Sequence, residues 1–399
     1  MLSRLAAASI LLLAAACGPA GEPPESNMST EEAQSLLRVA TFNVSLYRDE
    51  GGALLSDLQT DENPQLEAVR AIIDRVDPQI LVLNEFDYEP SGETLDLFAE
   101  QLGLGYDYRL SLPSNTGVPS GADLDGDGRA DHPQGSREYG NDAFGYGIHP
   151  GQYAIAILSK YPIDEEAVRT FRTLRWKDVP NNLLPTEFYS EEAQEVFRLS
   201  SKTHADVPVE VDGETIHMIL AHPTPPGFDG PEDRNGRRNH DEIRLLTEYV
   251  GGAGWIVDDE GGVGGLSEDA KFFIAGDLNS DPADGDQLEG TEQKAISALI
   301  AHPRVQDALP ASSGGTAASA NQGGANEGQS GDPAYDTSDF SDRRVGNLRV
   351  DYVLPSSNLE VVGSGVFWPA PDEPGFELVG PGYPPVSSDH RLVWVDVAL

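Results

Sequence analysis

The chain has 399 residues, 39% of them hydrophobic and 23% charged, and its 26 Lys+Arg against 67 Asp+Glu give a formal charge of -41. The length exceeds an ordinary single domain, yet a large two-sheet α/β sandwich can hold such a chain around one composite core, so two domains are not required. So large an acidic excess opposes non-specific binding to duplex DNA or an anionic membrane, while it favours solubility and the attraction of divalent cations.

The first residues read as a targeting segment. Arg4 supplies a minimal positive start, Leu5 to Leu13 form an apolar run too short to span a bilayer, and Ala14-Ala15-Ala16 are small residues before a cut. Cys17 follows directly and is the only cysteine, so it has no internal disulfide partner. Its position resembles a bacterial lipoprotein lipobox, in which the cysteine is lipidated and anchors the protein to a membrane. An ordinary signal peptide with an incidental cysteine is the alternative, and both imply export. Residues 17–35 are polar, acidic and Pro-bearing, as a flexible tether is. A single folded unit is then expected over 36–399.

Arg38 to Val44 alternates like a strand and presents Asn43 near its end. Pro64 to Val76 carries Leu66, Val69, Ile72, Ile73 and Val76 at helical spacing, and Pro78 to Glu85 returns as a strand, completing a β-α-β unit. A charge at the end of that strand needs a partner, either a salt bridge or a divalent cation suited to hard oxygen ligands. The segment Asp123-Leu124-Asp125-Gly126-Asp127-Gly128-Arg129-Ala130-Asp131 sets carboxylates at positions 1, 3, 5 and 9 around a glycine at 6. That is the opening of an EF-hand-like loop, although position 12 is Gln134. A structural Ca²⁺ held by Asp123, Asp125, Asp127 and Asp131, stapling an insertion near 121–135, is the expectation, with a solvated acidic turn as the alternative.

Gln152 to Ser159 reads as a buried strand, and Ile216 to Ala221 as another that ends on His222. Asn239 with Glu242 resembles a capping box opening a helix through Ile243, Leu246 and Val250. Arg237 and Arg238 would then stand just before a helix N-terminus, as a clamp for a substrate phosphate or as partners of surface carboxylates. Lys271 to Ala275 is a further strand signature, broken by Gly276 into Asp277-Leu278-Asn279. On a strand Asp277 and Asn279 would share a face, and in a turn both residue types are equally at home. A stretch rich in Gly, Ser, Ala and Asn, 311–331, reads as a mobile loop without a core. Arg349 to Leu354 encloses Asp351, and Asp389-His390 precedes a closing strand from Leu392 to Val397. Six strand-end sites thus carry Asn, Glu, His, Asp/Asn, Asp and Asp/His, a joint occurrence that argues for a catalytic edge.

The ordered words TFNV at 41–44, NEF at 84–86, AILSKYPI at 156–163, AHP at 221–223, AGDLN at 275–279, RVDYVLP at 349–355 and SDH at 388–390 resemble the endonuclease/exonuclease/phosphatase superfamily of metal-dependent phosphoesterases. That superfamily includes pancreatic-type deoxyribonucleases, abasic-site endonucleases, inositol polyphosphate 5-phosphatases and bacterial sphingomyelinases. The resemblance runs from Arg38 to Leu399. It implies a four-layer α/β sandwich, two mainly antiparallel mixed sheets packed face to face and flanked by helices. It also implies a Mg²⁺ or Mn²⁺ on Glu85, assisted by Asn43 and Asp389. By the same resemblance Asp277 orients or deprotonates the attacking water, Asn279 holds the phosphate, His222 and His390 stabilise charge or exchange protons, and Asp351 orients His390. The substrate would be a phosphoester, with nucleic acid a partner only as substrate, and the protein a monomer. An exported phosphatase or phosphodiesterase acting on small esters, an extracellular nuclease, and a catalytically silent lipid-anchored binding protein remain open. The last predicts lost site residues, and none of these positions is lost.

Overall fold

The computed structural model describes residues 35–399 apart from 229, 287, 289 and 292. The expected signal segment, Cys17 and the tether up to residue 34 lie outside the described residues. Among the described residues no helix is long and apolar enough to cross a membrane.

The strands are β1 (Leu36–Leu46), β2 (Ile80–Phe86), β3 (Tyr108–Leu112), β4 (Ile155–Ser159), β5 (Arg169–Thr170), β6 (Ala205–Val211), β7 (Glu214–Leu220), β8 (Lys271–Asp277), β9 (Ser338–Asp339), β10 (Asn347–Leu348), β11 (Asp351–Pro355), β12 (Glu360–Val366) and β13 (Val393–Ala398). One six-stranded sheet runs β12-β13-β1-β2-β4-β3 and a five-stranded sheet runs β11-β8-β7-β6-β5. Each has one parallel pair, β1 with β2 and β7 with β8, among antiparallel neighbours. Parallel neighbours need a crossover. Helix α1 (Pro64–Val76) makes the first and α2 (Arg234–Val250) the second. The two pairs send four C-terminal strand ends toward one edge, where α/β sheets present their ligand sites.

Periodicity explains α1 well. The Asn63 side chain accepts from Gln65 N and Leu66 N, Pro64 occupies the first turn where its missing N–H costs nothing, and Leu66, Val69, Ile72, Ile73 and Val76 are buried. In β8, Phe273 and Ala275 join the core between the sheets, together with Phe42, Leu81, Leu83, Met218 and Val353. Phe272 and Ile274 point the other way, into a second core with Ile219, Ile243, Leu246 and Leu299. Strand period two therefore sends Asp277, on the parity of Phe273 and Ala275, toward the opposite sheet.

Two expected elements differ. The helix begins at Arg234, five residues before Asn239, so Asn239 is an interior residue and no capping box forms. Its amide is buried and donates to the carbonyls of Thr224 and Leu278, while Glu242 accepts from Ser201 N and Thr224 N. The segment 311–331 is ordered structure, a helix α3 (Ser313–Gln322) followed by a 3-10 turn over Gly324–Gly328. Its small residues answer a close approach: a Cβ on Gly314 would sit 2.2 Å from the Trp368 carbonyl oxygen.

Candidate active site

Four strand ends and the segment before β13 meet where the two sheets touch. Asn43 near the end of β1 is buried and donates through Nδ2 to Asp277 Oδ2 at 3.0 Å, tying one sheet to the other. Asn84 makes a second tie. It accepts from Thr41 Oγ1 and Asp277 N and donates to the Ala221 carbonyl. Gly276 has φ +152°, and a Cβ there would stand 2.0 Å from the Ala221 oxygen, so only glycine lets β8 pass the end of β7 this closely. That approach brings His222 to Asp277, with Nε2 3.4 Å from Oδ2.

Asp277 is the hub. Its Oδ1 accepts Asn279 N at 2.9 Å, and Oδ2 also lies 3.7 Å from His390 Nε2. The strand stops at Asp277, and Asn279 adopts a left-handed φ of 51° with its amide on the Pro223 carbonyl, so the pair is a turn as well as a cluster. Burial opposes the Asp277 charge, but the positive His390 and the His222 contact hold its carboxyl well below the usual range.

The two histidines are driven apart. Burial and the neighbouring Lys202 charge push His222 down to about 4, and its Nδ1 is buried with no hydrogen-bond partner among the described residues. With Nε2 toward Asp277, we assign Nδ1 as the bare acceptor. His390 is also buried, but Asp351 and Asp277 beside it hold it well above an ordinary imidazole. Its Nδ1 contacts Asp351 Oδ2 at 2.9 Å, and that oxygen also accepts Thr337 Oγ1. Burial pushes Asp351 up to about 6, against the opposing His390 charge. Phe340 closes on the His390 ring edge-on at 5.2 Å between centroids.

Glu85 stands half-buried at the end of β2 with φ 56°, a left-handed conformation that costs a non-glycine residue energy. Burial pushes its carboxyl up to about 7, with Asp389 and Asp277 adding like charge and His390 opposing them. Asp389 Oδ1 accepts Ser45 Oγ at 3.1 Å. One ligand atom from each of Asp277, Asp351 and His390 lies within 4.8 Å of the others. In that trio, however, His390 already spends Nδ1 on Asp351. Glu85, Asp389 and the Asn43 amide supply hard oxygen donors beside the trio, of the kind that suits Mg²⁺ or Mn²⁺.

The arginines lie elsewhere. Arg238 is buried and its guanidinium donates to the carbonyls of Leu199, Phe144, Arg198 and Ser200, so the expected phosphate clamp is corrected: this side chain is a structural strut. Arg237 donates to the Glu232 carbonyl and lines a separate groove with Phe188 and Glu187. In the acidic loop, Asp131 is on the surface and pairs with Arg129, whereas Asp142, from outside the loop, joins Asp123 and Asp125. Asp127 lies 3.0 Å from His132 Nε2.

Asn84, Lys202, Thr337 and Ser388 escaped sequence reasoning. Asn84 and Ser388 stand in the NEF and SDH segments, and Asn84 is marked further by its polarity within an apolar strand. Lys202 is buried with Nζ on the Pro223 carbonyl, and Ser388 Oγ donates to the Asn43 carbonyl and accepts from His390 N. Nothing local distinguishes Lys202 and Thr337 from surface residues.

The profile of the Endonuclease/Exonuclease/phosphatase family matches residues 40–390. The chain belongs to that family. Among solved structures it is similar to an endonuclease/exonuclease/phosphatase from Beutenbergia cavernae, at 16% identity and TM-score 0.51 over 91% of this chain and 72% of that one. It also resembles a family protein from Leptotrichia buccalis, at 13% identity and TM-score 0.47 over 91% and 100%. A sphingomyelinase C from Streptomyces griseocarneus is similar at 14% identity and TM-score 0.46 over 92% and 100%. No curated protein matches. The fold of the endonuclease/exonuclease/phosphatase family is thus carried by two mixed sheets flanked by helices, as the sequence words implied.

Proposed function

We propose that this protein is a divalent-metal-dependent phosphoesterase that hydrolyses small phosphomonoesters or phosphodiesters by water attack at phosphorus. The observation that supports it best is the buried Asp277 carboxylate with His222 Nε2 at 3.4 Å and His390 Nε2 at 3.7 Å from one oxygen, burial lowering the first imidazole and Asp351 and Asp277 raising the second. A carboxylate held this far below its usual range is a weak base, and it serves by orienting the attacking water through hydrogen bonds. Neutral His222 turns Nε2 toward Asp277 and helps to fix that carboxylate. Charged His390, its tautomer fixed by Asp351, stabilises negative charge on the phosphoryl group and can give its Nε2 proton to the leaving oxygen. Asn279 offers its amide to the phosphate. Glu85, Asn43 and Asp389 would hold Mg²⁺ or Mn²⁺, which when bound neutralises phosphoryl oxygens.

The preference for small esters over nucleic acid rests on the arginines. Arg234 and Arg238 are committed to carbonyls, Arg244 to Asp241 and Glu248, and Arg391 to Asp339, which leaves them no role as a basic track for a polyanion. The test is a panel of nitrophenyl phosphates, plasmid and single-stranded DNA with Mg²⁺ or Mn²⁺, with and without chelator. Ester hydrolysis abolished by chelator and by Asp277→Ala or Glu85→Gln, with both DNAs intact, is the expected result. Cleaved DNA with untouched esters would establish the nuclease reading instead, and no turnover on any substrate would favour the silent binding protein. The reading extends to location: export, with Cys17 lipidated, is supported by the residues around it and is tested by the mass of the mature N-terminus.

A further inference from the structure

The loop from Asp123 to Asp131 and Asp142, which follows a short helix over Arg137–Asn141, form a cluster distinct from the Asp277 site. One oxygen from each of Asp123, Asp125 and Asp142 lies within 4.8 Å of the others. Like charges so close repel unless protons or a cation intervene. Two of the three carboxylates are occupied by turn-making donors: Asp123 by the amides of Gly126 and Gly128, Asp125 by Asp127 N and the Asn141 amide. Asp142 differs. Its residue is 5% exposed, Oδ1 accepts Leu124 N at 2.7 Å, and Oδ2 is buried with no hydrogen bond among the described residues, facing His132 Nε2 at 3.7 Å. A buried carboxylate oxygen left bare costs free energy that a ligand would return.

We propose that Asp123, Asp125 and Asp142 form a calcium site that fastens this insertion to the outer core. The ligand set differs from a linear reading of the loop, since Asp142 enters from nineteen positions beyond Asp123 by residue number and Asp131 drops out with Arg129. Oxygen donors on a turn-rich loop suit Ca²⁺, which accepts six to eight oxygens in flexible geometry, over the rigid octahedron of Mg²⁺. The mechanical link runs through Leu124. It is fully buried in the core shared by Trp176, Phe197 and Ile243, its N–H is bound by Asp142, and its carbonyl accepts Arg234 Nη1 at 2.9 Å in the first turn of α2. A cation drawing the three carboxylates together therefore holds Leu124 in the core and α2 at its start.

The test uses the purified full chain, stripped with chelator and desalted, in thermal unfolding and calorimetric titration with CaCl₂ or MgCl₂. Calcium at about 100-fold excess over its dissociation constant should raise the unfolding temperature by roughly 5 °C. Asp142→Asn, which retains the oxygen facing Leu124 N, should lose that rise and one equivalent of bound calcium. Asp123→Asn, half-buried in the same loop, should do likewise and covers the case in which the variant at the more buried Asp142 fails to fold. Glu85→Gln should keep the calcium response whatever it does to hydrolysis, which separates this proposal from the catalytic one. An equal calcium shift in wild type and both loop variants, no shift at millimolar calcium, or the same shift with magnesium at equal concentration would overturn it.

Discussion

Asp277 is held by neighbours from several strand ends: Asn43 from β1, His222 after β7 and His390 before β13 face its carboxylate, and Asn84 from β2 accepts its backbone N–H. Such a residue tolerates no isosteric neutralisation of its supports. Asp351→Asn keeps the size of the group on His390 Nδ1 but removes the charge that holds the imidazole protonated. Turnover should fall about 100-fold or more with KM little changed, and His390 should titrate lower in an NMR pH series. Lys202→Met removes the charge that, after burial, most depresses His222; the His222 titration should move upward, and an unmoved curve would refute that cause. At this scale, Asn43, Glu85, His222 and Asp277 were legible because each interrupts an apolar run at its end. Lys202 and Thr337 were not, because their burial is imposed by chain segments far away in sequence.

At the scale of elements, period and caps read well where one face is buried, as in α1, and poorly where burial is general. Helix α2 buries Arg238, Asn239, Asp241 and Glu242 together with its apolar residues, so the polar run that suggested a capping box is internal wiring. Arg238→Ala should strip four carbonyls of their donor and cost about 3 kcal/mol or more in urea unfolding, with KM for the ester unchanged in the folded fraction. A raised KM at unchanged stability would restore the phosphate clamp. The 311–331 stretch misled for the converse reason: small residues meant close packing. Gly314→Ala, which drives a methyl into the Trp368 carbonyl, should lower stability by about 2–3 kcal/mol.

For the whole molecule, acidity is the dominant property, and its internal trace is Asp336. Burial, with like charge from Asp281, Asp284 and Asp332, pushes that carboxyl up to about 8, and its Oδ2 has no hydrogen-bond partner among the described residues. The folded state therefore holds a proton that the unfolded chain releases near pH 4. Between those values unfolding is favoured progressively as pH rises, so this residue's contribution declines from pH 4 to pH 8. Asp336→Asn should thus stabilise the fold more at pH 8 than at pH 5, by a margin on the order of a few kcal/mol, measured by urea unfolding at both pH values. An equal effect at both would show the residue ionised throughout. The sandwich itself was legible in the ordered words, since each marks a strand end; which strands pair, and which sheet each joins, depends on long-range register that no local pattern encodes.

The parallel pairs β1-β2 and β7-β8 sit in different sheets, and each delivers only half of the chemistry. Glu85 belongs to one sheet and Asp277 to the other, and the Asn43 and Asn84 side chains are the stitches between them. Each half can keep its own backbone ladder while the seam slips. Catalysis should therefore act as a strain gauge for the seam, failing under mild denaturant before far-ultraviolet circular dichroism registers any loss of strand.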